Sequence, residues 1–200
     1  MVKNMNNKEV LKEMLNREVN AVNNLSKVLD FDKIDKAVEK IANCKGNVIF
    51  AGCGSSSTAA FRAANIYNFL YIPSVAINVM NALHGEYGMI REGDIFIPIS
   101  KSGNTEELVQ SIPIAKKLGA YIIGLTENDN SYIAENSHIA ITFNSLKELD
   151  DKDMVATSST TCSSIILDII GGAVMKKNNI TDKDFKLIHP NGAVGQMLKD

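Results

Sequence analysis

Cysteine is scarce: Cys44, Cys53 and Cys162 are an odd number in 200 residues, with no CxxC and no Cys/His spacing. That argues against a disulfide framework and against a structural zinc. Neither sign of charge dominates. With 21 Lys and Arg against 23 Asp and Glu the formal net charge is −2, which gives no reason to expect nucleic acid or an anionic membrane as partner. No apolar run approaches the span of a bilayer, so no transmembrane helix is expected. Met1 to Val10 is polar and lacks the apolar core of a signal peptide, which makes the cytoplasm the default location. Internal repeats and low-complexity linkers are absent too. What is present is ordinary for a globular chain, 45% apolar and 22% charged. It is long enough for one full core, or for one domain with an N-terminal helical arm.

One stretch organises the rest. Ile95 to Ile99 is nearly all apolar, the pattern of a strand buried on both faces. Ser100-Lys101-Ser102-Gly103 is a small-residue loop. From Thr105 onward Leu108, Ile112, Ala115 and Leu118 recur with helical spacing, and Gly119 stops the helix. A strand that passes through a Ser/Gly/Thr loop into a helix start offers free N–H groups, a positive dipole end and hydroxyls to one point. That is an anion site, most simply for a phosphate. The competing reading is that Asn104 or Thr105 caps the helix and the serines fill a tight turn.

The remaining chain supports an α/β reading. Lys8 to Leu29 and a second segment capped by Asp32, with Ile34, Ala37, Val38, Ile41 and Ala42, form helices without chemistry: an arm, a cover or an oligomer contact. Val48 to Ala51 is a buried strand, and Gly52-Cys53-Gly54-Ser55-Ser56-Ser57-Thr58 leads into a helix with Ala60, Phe61, Ala64, Tyr67, Asn68 and Tyr71 near one face. Dinucleotide binding is a weak reading of this GxG, because Ser57 replaces the third glycine and no acidic residue follows the next strand. Ser74 to Ile77, Ala120 to Leu125 and His138 to Phe143 are further strands, with a short helix or turn over Asn81 to Glu86 and a loop over Glu127 to Ser131. Thr157 to Thr161 open a long apolar helix with more hydroxyls than one cap needs, so a third polar helix start is expected at the same pocket. Asn178-Asn179 ends that helix, and His189-Pro190-Asn191-Gly192 forms a turn before a last helix over Ala193 to Leu198. Five parallel strands alternating with helices give a three-layer α/β/α sandwich whose strand-end loops share one edge.

Four segments together carry a resemblance: Gly52-Cys53-Gly54-Ser55-Ser56, Ile99 through Glu107, Ala156 through Thr161, and His189-Pro190-Asn191-Gly192-Ala193-Val194-Gly195. They resemble the SIS (sugar isomerase) domain family from about Val48 to Leu198, and are most similar to its arabinose 5-phosphate isomerase branch. The resemblance divides the chain into an N-terminal arm, 1–45, within the same domain, and the SIS domain, 46–200. It implies a flavodoxin-like five-stranded sheet, a homotetramer or dimer of dimers, and active sites at subunit interfaces. Members of that branch often carry a CBS domain pair after this domain; this chain ends where the pair would begin, and looks like a stand-alone form.

The activity implied is aldose–ketose isomerisation of a phosphorylated sugar, most simply D-arabinose 5-phosphate to D-ribulose 5-phosphate, with no cofactor and no metal. By position, Ser56, Ser100, Ser102 and Thr105 would hold the phosphate, and Glu107, Glu148, His84 and His189 would be the acid/base and sugar-contacting set. His189 and Glu148 are assigned the proton work, since histidine titrates near neutrality and burial can raise a carboxylate pKa. Glu107 and His84 would orient hydroxyls. Ser55 stands where the branch usually has lysine; Lys101 is a candidate for the missing charge, and Ser55 and Ser159 complete the candidate substrate contacts. Taken alone, His189 reads as a turn residue, His84 as a helix cap, Glu148 as part of a solvated charged connector, His138 as structural and Cys53 as a small buried residue. The alternative function is a non-catalytic sugar-phosphate sensor.

Overall fold

The computed structural model describes residues 6–189 and 191. Its centre is a sheet of β1 (Val48–Gly52), β2 (Ser74–Asn78), β3 (Ile95–Ile99), β4 (Tyr121–Thr126) and β5 (Ile139–Thr142), in the order β2-β1-β3-β4-β5. Every pairing is parallel. All residues of β1 and β3 are buried, as parallel strands covered on both faces must be. Successive side chains feed opposite cores. Val48, Phe50, Ile95, Ile97, Ile123 and Ile139 pack against α1 (Asn7–Val28), α2 (Phe31–Ala42), α3 (Ser55–Phe69) and α7 (Ser158–Lys177). Ile49, Ala51, Phe96 and Ile122 pack against α4 (Val79–Ala82), α5 (Glu106–Lys117) and α6 (Tyr132–Asn136). The expected three-layer sandwich is what forms. Ala21 and Leu25 of α1, with Ile34, Ala37, Val38 and Ile41 of α2, enter the same core as β1 and α7.

The strand order fixes where a ligand can sit. The chain leaves β1 outward to β2, then crosses back to β3 on the other side. The loops after β1 and β3 therefore diverge and open a crevice beyond the strand ends, the usual binding place in such sheets.

Several local expectations are corrected. Asp30, not Asp32, caps α2, because its Oδ1 accepts the N–H groups of Asp32 and Lys33. On α3 the buried side is Ala59, Ala60, Ala63, Ala64 and Tyr67; Phe61 is exposed, and Tyr71 lies past the helix at a φ of 62°. Small alanines let the first turns of the helix lie close to the sheet, and Tyr67 nearer its end packs edge-on against Phe50. The short helices α6 and α8 (Asp182–Ile188) were not anticipated, being too brief for a periodic signal. Their caps were legible: Ser131 accepts from Ala134, and Thr181 forms a capping box with Asp184. Helix α7 runs between the expected limits, with Thr157 at its N-cap and Asn178 at its C-cap. By length and composition it could cross a membrane, but half of it is buried among α1, α2 and α3 as a core helix. The last helix, 193–198, lies outside the described residues.

Candidate functional site

A cavity of about 470 Å³ opens at the switch point, lined by Cys53, Ser55, Ser56, Ser100, Lys101, Ser102, Thr105, Glu127, Asn128 and Ala156. Helix capping sets this edge apart. Helices α1, α2, α4, α6 and α8 each have a first-turn N–H accepted by a side chain, of Asn6, Asp30, Asn78, Ser131 and Thr181 respectively. Helices α3, α5 and α7, which start at the cavity, have no side-chain cap bond from Gly54, Thr105 or Thr157. The first N–H groups of a helix have no intrahelical acceptor, so α3 and α5 direct donors and dipole at one point.

The capping alternative for Asn104 and Thr105 is therefore set aside. Asn104 Oδ1 accepts from the N–H of Tyr132, and Thr105 Oγ1 lies 2.7 Å from Ser100 Oγ. Ser100 Oγ in turn accepts the Gly103 N–H and sits 3.4 Å from Ser102 Oγ. Gly103 makes this turn possible: its φ is 68°, and a side chain there would collide with Ser131 and Thr126. The sequence-predicted phosphate set, Ser56, Ser100, Ser102 and Thr105, thus converges on one cavity. Ser55 and Lys101 join it.

Glu148 is the site's most unexpected residue. The charged connector around it suggested a solvated side chain, yet Glu148 is 0% exposed. Its Oε2 accepts the Thr157 N–H at 2.8 Å, the Thr157 hydroxyl at 3.1 Å and the Ser159 N–H at 3.2 Å. Its Oε1 has a different partner, the Lys101 ammonium at 2.6 Å. The third polar helix start, on α7, therefore holds an internal carboxylate instead of lining the cradle. Ser159 gives its backbone N–H to that network and does not line the cavity. The expected upward pKa shift does not occur. Burial pushes the Glu148 carboxyl up, but the bonds from Lys101, Ser159 and Thr157 outweigh it and bring it down to about 2. As placed, Glu148 is an ionised anchor and a poor proton acceptor.

The other acid/base candidates are not gathered in this cavity. Glu107, in the first turn of α5, is half-buried, and its carboxylate has no partner among the described residues. His84 is exposed in the turn after α4, where its N–H bonds the Asn81 carbonyl. His189 ends α8 with its ring against Phe69 and Phe185, and its buried Nδ1 has no hydrogen-bond partner among the described residues. Phe69 is the last residue of α3 and Ser55 the first, so at 1.5 Å per residue His189 lies roughly 20 Å from the cradle of its own chain. His138 is structural: its Nδ1 accepts the Ile122 N–H, and its ring stacks on Tyr121. Cys53 is half-buried and lines the cavity, against the expectation of burial. The sequence reading missed Glu127 and Asn128 as lining residues, although their place just after β4 marks them for the same edge.

Among the described residues no cluster of His, Cys, Asp and Glu could hold a metal. Burial, with Glu127, Glu18 and Glu148 nearby, pushes the Cys162 thiol up to about 12, so it is a core group rather than a ligand.

A parallel sheet with an anion-ready cavity at its switch point defines the chain as an α/β protein of the doubly wound class. The chain belongs to the SIS domain family, whose pattern matches residues 40–169. It is similar to arabinose 5-phosphate isomerase KpsF of Escherichia coli, with 32% identity over 188 residues, 94% of this chain and 59% of that protein. A Listeria monocytogenes crystal structure described as a candidate sugar-phosphate isomerase superposes with a TM-score of 0.90 at 36% identity, over 94% of this chain and 100% of that one. A protein of Escherichia coli CFT073 in complex with arabinose 5-phosphate does so with a TM-score of 0.88 at 28% identity, over 93% and 100%. The chain spans about three fifths of the length of the curated relatives it matches.

Proposed function

We propose that this protein is an aldose–ketose isomerase of a phosphorylated sugar, interconverting D-arabinose 5-phosphate and D-ribulose 5-phosphate. The cradle of Ser56, Ser100, Ser102 and Thr105 between two uncapped helix starts is the observation that carries the reading. The likeness to KpsF and to the protein in complex with arabinose 5-phosphate supplies the sugar. In the reaction a base takes the C2 proton of the open-chain aldose, giving an enediol as O1 gains a proton. A proton is then delivered to C1 while O2 loses its own, leaving the ketose. Anchoring the phosphate makes this chemistry effectively intramolecular. We read Glu107, half-buried in the first turn of α5, as a residue that orients the sugar hydroxyls.

The reading extends to a homotetramer or dimer of dimers in which His189 serves the cavity of a second copy. In support, Leu11 and Leu15 of α1 are 66% and 64% exposed and Val19 lies one turn further, an apolar stripe left uncovered by its own chain. It also has the protein act in the cytoplasm, since a sugar-phosphate dianion does not cross a bilayer unaided.

The test is incubation with aldose pentose, hexose and heptose phosphates, and with unphosphorylated arabinose, while ketose formation and thermal shift are followed. Turnover of one phosphorylated sugar, with none of free arabinose, is expected. Stabilisation by a sugar phosphate with no turnover of any would make the protein a sensor instead. Within the cradle, Thr105→Val keeps shape but removes the hydroxyl next to Ser100. It should raise KM tenfold or more, the worth of roughly 1.5–3 kcal/mol for a hydrogen bond to a charged group, and leave kcat nearly unchanged.

A further inference from the structure

The two oxygens of Glu148 are held very unequally. Oε2 takes three donors from the start of α7, at 2.8, 3.1 and 3.2 Å, whereas Oε1 accepts the Lys101 ammonium at 2.6 Å. The lysine is the exposed partner. Its side chain is 36% exposed while that of Glu148 is 0% exposed, and it lines the same cavity as Ser56, Ser100, Ser102 and Thr105. An ammonium on a flexible four-carbon stem can change partners, and a phosphate dianion carries more charge than the carboxylate it competes with.

We infer that Lys101 is a positioning residue that couples the phosphate cradle to Glu148. A phosphate held by the serines and Thr105 draws the Lys101 ammonium toward itself and off Glu148 Oε1, which is then free to accept a hydrogen bond or a proton from the sugar. Oε2 keeps its three donors throughout, so the carboxylate is re-tasked without losing its place. This deepens the isomerase reading and rests on it for the sugar, but not for the phosphate.

The other charges around Glu148 favour the effect. Asp153 accepts the Glu148 N–H, Glu18 accepts the Ser158 hydroxyl, and Glu127 lines the cavity. Arg17 meets Glu148 only at its backbone carbonyl, and otherwise bonds the Leu149 carbonyl and the carboxylates of Glu13 and Asp151. With Lys101 turned to the phosphate, these neighbours leave the carboxylate among acidic groups, and its proton affinity rises.

The experiment labels glutamate carboxyl groups with carbon-13, assigns Glu148 by the signal lost in Glu148→Gln, and titrates pH in wild-type and Lys101→Met protein. Each titration is run with and without saturating inorganic phosphate, whose occupancy the phosphorus signal reports. In wild type, bound phosphate should raise the proton affinity of Glu148 at least tenfold. In Lys101→Met that affinity should be high already and phosphate should bind at least tenfold more weakly, with Lys101→Arg restoring wild-type binding. Phosphate bound to wild type without moving Glu148 would overturn the coupling and leave the cradle standing. A Lys101→Met protein that titrates like wild type would overturn it as well. Failure of wild type to bind phosphate would remove the cradle and the coupling together.

Discussion

Glu148→Ala is expected to lower the melting temperature by roughly 6–12 °C and to abolish sugar-phosphate turnover. The substitution strips the acceptor from the Thr157 N–H and hydroxyl, the Ser159 N–H and the Lys101 ammonium at once. Breaking a buried ion pair by removing one partner costs about 3–5 kcal/mol. Lys101 can turn to water, which favours the lower end, about 3 kcal/mol. A domain of this size loses about 2–4 °C for each kcal/mol. Glu148→Gln, which keeps one acceptor oxygen, should lose less. The same carboxylate fixes a pH dependence. Its folded pKa of about 2 lies below its ordinary value of 4.5, so its contribution, up to about 3 kcal/mol, is complete above pH 4.5 and is lost as pH falls toward 2. Urea unfolding at pH 7 and pH 3 measures both effects. The wild type should lose part of its stability between them, and Glu148→Ala should lack that component of the loss. Equal pH dependence in the two proteins would remove Glu148 from its structural role.

The second large effect is at Gly52. A Cβ built there falls 2.6 Å from the carbonyl carbon and oxygen of Ser56 and 2.8 Å from the Ser57 nitrogen. These are backbone atoms of the first turn of α3, so no side chain can swing aside to make room. Gly52→Ala must push that turn away from β1, and with it Ser55 and Ser56 from the cradle. A cost of about 2–4 kcal/mol in stability and a hundredfold or greater loss of sugar-phosphate affinity are expected, read by thermal unfolding and by calorimetric titration. A variant that unfolds normally and binds normally would show that the approach of α3 to β1 does not set the cradle.

The sequence announced most of this architecture because buried parallel strands are continuous apolar runs. β1 through β5 fall within a residue or so of where those runs lie. The two Ser/Gly loops declare strand-to-helix junctions, and five apolar strands alternating with helices leave little choice of topology. The phosphate set was legible for the same reason, since loops after parallel strands must share an edge. The electrostatics were not. Glu148 sits in a run of charges that reads as solvated, and its partners are 47 residues upstream at Lys101 and 9 downstream at Thr157. Nothing local shows that pairing, or that it depresses the carboxyl instead of raising it. His189 was equally opaque. Its position follows from α8, whose capping box at Thr181 is visible but whose packing against Phe69 is a tertiary matter.

Conversion of D-arabinose 5-phosphate in deuterated water, followed by proton NMR, tests the central claim most directly. The account predicts D-ribulose 5-phosphate with deuterium at C1, because a proton taken from C2 passes through an enediol and exchanges with solvent before delivery. Arabinose 5-phosphate that binds in the cavity yet yields no ketose would contradict it.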